Sequence, residues 1–226
     1  MGFDAPGTSN GQRVKRLPRT MAGLHHHNTQ KEVVDIVNTL NFRIVGVAPL
    51  VMHNGALADP QYEYTRKIKA ISSKRMKTDA DYEEMARLEW FGGLYLFNGE
   101  PCVPGYVLEA MLIGRGGAAR KQKKGKEAAA GLFVVQDFPL EYEGPRDPQL
   151  LWQLEQFRLV APVKVQTARI MRTRPLFAEW AFTAEVTHNP ELVNEDEVVH
   201  WMQIAGEQVG LMDWRPKYGR FSVEQI

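Results

Sequence analysis

Six cationic side chains lie within twelve residues of this chain and indicate binding of phosphate groups. They lie in the segment Gly114–Lys126, GRGGAARKQKKGK, which has no carboxylate, and are Arg115, Arg120, Lys121, Lys123, Lys124 and Lys126. Like charges this close repel one another, and a polyanion relieves that repulsion while it releases its own counterions. This segment, called the basic run below, predicts nucleic-acid binding that does not read sequence. The alternative is a solvated loop whose lysines serve solubility.

Positive charge is concentrated in three windows of an almost neutral chain. Windows 13–19, 66–77 and 115–126 hold sixteen of the 28 lysines and arginines and no Asp or Glu. The rest of the 226 residues carry 12 basic and 27 acidic side chains. This bipolar distribution suits a nucleic-acid track on one side and contact with the acidic side of a neighbouring copy. We therefore expect a homo-oligomer.

The predicted nucleic-acid site extends beyond the basic run to two other cationic groups. One follows Pro60, and the other belongs to a predicted strand and the turn after it. These further site residues are Lys67, Lys69, Lys74, Arg75, Lys77, Lys164, Arg169, Arg172 and Arg174. Tyr62, Tyr64, Phe91 and Tyr95 are candidates for stacking on bases, with core packing as the alternative. If six to ten phosphates are contacted, affinity falls by roughly 10³–10⁵ between 50 and 200 mM salt on the duplex scale, and less steeply on single strands.

No set of residues in the sequence indicates catalysis, a cofactor or a metal. The acidic residues within 79–84 would suit a metal-dependent nuclease, but the helix dipole already favours acidic residues in a first helical turn. The histidines are isolated, apart from three adjacent ones at 25–27, which cannot all face one metal. The sequence has no GxxxxGK[ST], HExxH or nucleophile-elbow motif. We expect a non-catalytic protein, with an endonuclease that uses one histidine as the enzymatic alternative.

Composition predicts an intracellular, cytoplasmic protein. Hydrophobic residues make up 44% and charged residues 24%, as in ordinary globular proteins. No window of eighteen apolar residues and no apolar segment after the basic N-terminus is found, so we expect no membrane partner and no secretory signal. Cys102 is the only cysteine, which excludes an internal disulfide and a cysteine-based metal site.

The elements that position these residues follow from periodicity and turn signals. The predicted core elements are a strand at 42–48, a helix at 104–113, strands at 162–171 and 179–188, a helix at 194–209 and a strand at 219–224. That order, βαββαβ, is the α+β, ferredoxin-like plan, with a large insertion at about 49–103 after the first strand. We expect one domain at 31–226, preceded by a flexible arm at 1–30.

Local signals define several boundaries. Thr78 or Asp79 begins a helix that Gly92-Gly93 ends, and Asn98-Gly99 predicts a hairpin. Asn194 and Glu197 have the spacing of a capping box. A strand is expected at 132–138 and a turn around Arg174-Pro175, while 31–40 fits a helix or a strand. Near the C-terminus, either Trp214 or Tyr218 contacts a base or a neighbouring subunit, or Asp213 pairs with Arg215 in a structural loop.

Three segments carry a resemblance to a known family. They are Pro101–Tyr106 (PCVPGY), the glycine- and lysine-rich basic run, and GLMDWRP…YGRF from Gly210 to Phe221. Together with the long insertion after the first strand, these segments resemble the Cas7-type backbone subunits of CRISPR effector complexes, which belong to the RAMP group of RNA-binding proteins. The overall sequence pattern is also similar to that of phage proteins. The host cytoplasm is then the expected location.

The resemblance implies binding of single-stranded nucleic acid along a filament of identical subunits. Basic loops would hold the phosphates, and the open face of the sheet would present a flat surface to unstacked bases. The sequence does not distinguish RNA from DNA. The alternative is a viral structural or assembly protein whose basic segments contact packaged nucleic acid or an acidic partner.

Overall fold

The computed structural model describes residues 37–165 and 167–226 and has a mixed helix and sheet architecture, as the predicted α+β class requires. The arm predicted at 1–30 lies outside the described residues, as does most of the ambiguous segment 31–40. From Asn38 onward that segment is a strand. Within the described part of the chain, none of the helices has the length and apolar character to span a bilayer.

Seven α-helices form in the described residues. In chain order they are α1 (Glu63–Ser72), α2 (Asp79–Gly93), α3 (Gly105–Ile113), α4 (Ala118–Lys121), α5 (Gly125–Gly131), α6 (Pro148–Gln153) and α7 (Glu195–Ile204). A π-helical turn, Ala205–Val209, continues α7. Short 3₁₀ turns at Gly55–Ala58 and Glu155–Phe157 join other elements.

The described residues also form ten strands, which make up three antiparallel sheets. In chain order they are β1 (Asn38–Gly46), β2 (Leu50–Val51), β3 (Leu96–Phe97), β4 (Glu100–Val103), β5 (Leu132–Phe133), β6 (Phe138–Pro139), β7 (Arg158–Val165), β8 (Ala168–Phe177), β9 (Ala181–His188) and β10 (Phe221–Gln225). The sheets have the orders β10-β1-β9-β5, β2-β8-β7 and β3-β4-β6.

The four-stranded sheet buries one face under α3 and α7. Along β9 the side chains alternate, so that Phe182, Ala184 and Val186 are fully buried while the residues between them are not. Leu108 of α3 and Trp201 of α7 belong to the same hydrophobic core. On the opposite face of this sheet, most side chains of the described strands are exposed.

One predicted core strand is wrong. The segment 162–171 does not enter the four-stranded sheet, because β7 and β8 pair with each other as a long hairpin in another sheet. The strand beside β9 is β5, since Leu132 pairs with His188. The predicted strand at 132–138 splits into β5 and β6, and the turn expected at Arg174-Pro175 lies inside β8.

Several local predictions are confirmed. Thr78 and Asp81 form a capping box at the start of α2, and Asn194 and Glu197 form one at α7. The Asn98-Gly99 turn joins β3 to β4, with both residues at positive φ. Helix α1, by contrast, was missed, because the cationic segment it occupies showed only weak periodicity.

Candidate nucleic-acid interface

The basic run is helical where a loop was expected. It contains α4 and the start of α5, whose alanines Ala118, Ala119 and Ala128 are completely buried. Helix α4 contacts α3 and α7, and α5 contacts α3. At Gly117 an added Cβ would lie 2.6 Å from the Leu112 carbonyl oxygen, so only glycine allows this close approach. Small residues therefore anchor the run to the helix layer and leave its long cationic side chains outside.

Most of the positive charge in the basic run is uncompensated. All six cationic residues are exposed. Lys124 pairs with Glu197, with Nζ 3.4 Å from Oε1, and the other five have no carboxylate partner among the described residues. Arg120 also donates from Nε to the Ile113 carbonyl at 2.9 Å, which steadies its side chain. The surface holds cations that remain available to an anion.

The second cationic group, at 67–77, is in part neutralised within the fold. Lys67 pairs with Glu63 one turn earlier on α1, and Lys74 Nζ lies 2.5 Å from Asp81 Oδ1. Hydrogen bonds from Lys74 and from the Thr78 backbone hold the pKa of Asp81 below its usual range. Lys77 donates to the Lys74 carbonyl. Lys69 and Arg75 have no ion-pair partner in the part of the chain described.

The β7–β8 hairpin divides its four predicted site residues between two faces. Lys164 and Arg169 lie directly opposite each other and are exposed. Arg172 and Arg174 belong to the other face, because side chains alternate along a strand. Like charges placed opposite each other are unfavourable, and a phosphate between them would remove that cost. The predicted continuous track along this strand is thus separated into two surfaces.

Exposed apolar side chains accompany Lys164 and Arg169. Val160 is 57% exposed and Met171 is 59% exposed on the same face of the ribbon. Proteins that bind unstacked bases combine cations with aromatic side chains, whereas the exposed apolar residues here are not aromatic. This face of the hairpin therefore combines exposed cations with exposed apolar surface.

A cleft of about 530 Å³ lies between α1 and the β7–β8 hairpin. Lys69, Arg172 and Arg174 line it, so the structure brings together three predicted site residues from two distant segments. None of the six cations of the basic run is among its lining residues. His53 is also at the wall, where partial desolvation and then the charge of Arg174 lower its pKa, although its side chain keeps contact with solvent.

Glu89 of α2 connects the helix to the hairpin and was not predicted. Its carboxylate accepts hydrogen bonds from the Arg172 guanidinium and from the backbone N–H of Thr173, the latter at 3.1 Å. On the edge of β8 that faces away from β7, this part of the strand has no neighbouring strand to accept the N–H hydrogen bond. Glu89 therefore satisfies a sheet edge and orients Arg172 at the same time.

Arg174 is the most buried of the predicted site residues, with 9% of its surface exposed. Its Nη1 lies 2.7 Å from Asp213 Oδ2, and its guanidinium stands over the Trp214 ring at 5.0 Å. Asp213 thus pairs with Arg174 and not with Arg215, which corrects the expected loop contact. This pairing had no signal in the sequence, because the two residues are far apart along the chain.

The open face of the four-stranded sheet is acidic. Glu185 and Glu224 are exposed on it, and Glu141 reaches over it to form a two-pronged ion pair with Arg43, at 2.5 and 2.8 Å. Phe133 at the β5 edge is the one aromatic residue on this face of the sheet strands described. Carboxylates repel phosphates, so this face disfavours the base-stacking role that we expected of it.

The four candidate stacking aromatics belong largely to the interior. Phe91 is buried, and Tyr64 and Tyr95 pack against the hydrophobic core. Tyr95 donates its hydroxyl hydrogen to the His53 carbonyl at 3.1 Å. Tyr62 is half-buried beside Tyr64. The core-packing alternative describes their surroundings better than the stacking one.

No group of three or more His, Cys, Asp or Glu side chains suited to a metal is present in residues 37–226 as far as they are described. Comparison of the sequence with protein-family models and with curated proteins finds no match.

Proposed function

We propose that this protein binds single-stranded nucleic acid through the phosphate backbone, without acting on it as an enzyme, and that copies assemble along the strand. The main observation in support is the basic run. Of its six exposed cations, only Lys124 has a carboxylate partner among the described residues. A run whose charges were paired within the fold would have little positive charge left for an anion. Free cations at this density bind a polyanion by releasing its counterions.

The hairpin supports a single strand as the ligand. Its outer face combines Lys164 and Arg169 with exposed Val160 and Met171. Apolar contacts need bases that are not stacked within a duplex, while the cations hold phosphates of any sequence. Both RNA and DNA fit this description.

The sheet topology supports a ferredoxin-like core, the finer fold class proposed here. β1 and β5 both run antiparallel to β9, which lies between them, and α3 lies between β1 and β5 along the chain. Two parallel strands joined through a helix and separated by a third strand form a split βαβ unit. On this assignment the insertion after the first strand spans 47–104, and the β7–β8 hairpin is a second insertion. The first of these insertions agrees with the proposed resemblance to Cas7-type subunits.

A binding titration with matched charge variants tests the proposal. Fluorescence anisotropy of labelled single strands and duplexes is measured at roughly 50 and 200 mM salt, where backbone binding weakens steeply. We expect the Lys121→Ala, Lys123→Ala variant to lose at least about tenfold in affinity for single strands and to show a shallower salt dependence. The Lys67→Ala, Lys74→Ala variant removes the same charge from residues already paired with carboxylates, and is expected to lose less than about threefold.

Three outcomes would contradict the proposal. Absence of binding at low salt leaves the assembly protein with an acidic partner as the better description. Equal losses in the two variants would refute the basic run as the site. Cleavage of the labelled strand with magnesium would refute the non-catalytic role and favour the nuclease alternative.

A further inference from the structure

The cleft between α1 and the β7–β8 hairpin is lined by both cationic and apolar side chains. Lys69, Arg172 and Arg174 supply cationic groups, and Leu57, Ile68 and Val163 supply an apolar surface. Its volume of about 530 Å³ lies within the usual range of small-molecule pockets. Such pockets are mostly apolar and hold a few polar groups that orient the ligand. A ligand of matching chemistry combines an apolar part with an anionic group.

Arg174 contributes a fixed positive charge to the cleft. An arginine stays charged at every physiological pH and has five N–H donors. Here the residue is more than nine-tenths buried, and neither Nε nor Nη1 has a hydrogen-bond partner among the described residues. Asp213 lies close enough for an ion pair, but Oδ2 is outside hydrogen-bonding geometry. Because Arg174 lines the cleft, its charge attracts an anion bound there even though these two atoms are closed to solvent.

The charges around the cleft favour an anion over a neutral ligand. Glu89 offsets Arg172 and Asp213 offsets Arg174, whereas Lys69 has no ion-pair partner in the part of the chain described. Three cations against two carboxylates leave a net positive charge. Trp214, stacked on the Arg174 guanidinium, and Glu89, bonded to Arg172, hold both planar groups in place before a ligand arrives.

We propose that this cleft binds a nucleoside monophosphate, with its phosphate at Lys69, Arg172 and Arg174 and its base against Leu57, Ile68 and Val163. Planar guanidinium groups match the oxygens of a phosphate in geometry as well as in charge. A flat base covers apolar surface that inorganic phosphate leaves open. The same chemistry is present in a free mononucleotide and in the phosphorylated end of a strand.

Calorimetric titration of the full chain with AMP, adenosine and inorganic phosphate tests the proposal. We expect AMP to bind at least about tenfold more tightly than either of the others, because each lacks one half of the contacts. Lys69→Ala is expected to weaken AMP binding about tenfold, whereas Lys67→Ala, on the same helix but outside the cleft, leaves it unchanged. Ile68→Trp fills the cleft from an accessible position and is expected to abolish binding without removing a charge.

The proposal fails if AMP and adenosine bind equally, if AMP does not bind up to about 1 mM, or if Lys69→Ala and Ile68→Trp both bind AMP as the unaltered protein does. Circular dichroism establishes that each variant is folded.

The source of the phosphate is identified by a second arm. Oligonucleotides with and without a 5′-phosphate compete against bound AMP. If the phosphorylated oligonucleotide displaces AMP preferentially, the natural ligand is the phosphorylated end of a nucleic-acid strand. If the two oligonucleotides displace AMP equally or not at all, while AMP itself binds, the ligand is a free nucleotide. The Lys121→Ala, Lys123→Ala variant separates this site from strand binding, because it is expected to bind AMP normally. The AMP-binding proposal and the function proposed for the basic run can therefore be refuted separately.

Discussion

At the scale of single residues, carboxylates decide which cations remain free. Lys67 and Lys74 look equivalent to the lysines of the basic run in the sequence, yet each has an acidic partner in the fold. Glu63 precedes Lys67 by one helical turn, so that pair was recognisable from spacing. Nothing in the sequence indicated that Glu89 would serve both Arg172 and Thr173, 83 and 84 residues away.

The Arg43–Glu141 pair makes stability depend on pH in a defined direction. The hydrogen bond from Arg43 holds the pKa of Glu141 below its usual range. A lowered carboxyl pKa adds stability above the pKa of the unfolded chain, about 4.3, and this stability is lost as pH falls through the folded value. We expect Glu141→Gln to reduce the unfolding free energy by up to about 1 kcal/mol at neutral pH, since the pair is largely exposed.

Urea unfolding of the two proteins at about pH 7 and about pH 3.5 checks this expectation. The difference between them should shrink at the lower pH, where the native carboxyl also becomes protonated. A difference of the same size at both pH values would show that Glu141 contributes through packing and not through its charge.

At the scale of elements, α2 and the hairpin depend on each other through one carboxylate. The outer edge of β8 is paired with β2 only at Leu176 and Phe177, so the strand needs another acceptor nearer its start. Glu89 supplies it and also holds Arg172. Pro175 is tolerated inside this strand although the Arg-Pro sequence predicted a turn, because proline is compatible with strand positions whose N–H is not needed for pairing.

Removal of the Glu89 carboxylate is expected to destabilise this junction. Glu89→Ala leaves the Thr173 N–H and the Arg172 guanidinium without their acceptor, which costs about 1–3 kcal/mol of unfolding free energy. Glu89→Gln keeps an acceptor for Thr173 and should lose less. Denaturant unfolding measures both values. Equal losses below about 0.5 kcal/mol, the range of ordinary surface substitutions, would contradict the role given to this residue.

At the scale of the whole molecule, opposite charges occupy different surfaces. The basic run lies on the outside of the helix layer, and the open face of the four-stranded sheet exposes Glu185 and Glu224. A nucleic-acid strand would be repelled from that sheet face, so the proposed function assigns phosphate binding to the helices and the hairpin. The same separation suits contact between the acidic face of one copy and the cations of the next.

Assembly along the strand is expected to depend on strand length. Light scattering coupled to size-exclusion chromatography would measure the mass of complexes with single strands of about 20 and about 60 nucleotides, several times the length that one small binding module covers. The number of protein copies should rise with length, and low salt should favour the larger complexes. One copy on both strands would contradict self-assembly and leave binding by single molecules.

The sequence by itself determined the features that depend on neighbours along the chain. The capping residues Thr78 and Asn194, the Asn98-Gly99 turn and helix α3 were predicted correctly, because their hydrogen bonds and conformations are local. The concentration of charge in the basic run was likewise readable without a structure.

Only the tertiary structure decided which strands pair and which side chains meet. Alternation in a strand does not name its partner, so 162–171 was assigned to a sheet in which β5 takes the place beside β9. The cleft joins Lys69 to Arg172 and Arg174, and its buried guanidinium meets Asp213, through contacts between residues remote along the chain. Such contacts depend on how the whole core packs, which cannot be inferred from any short segment of the sequence.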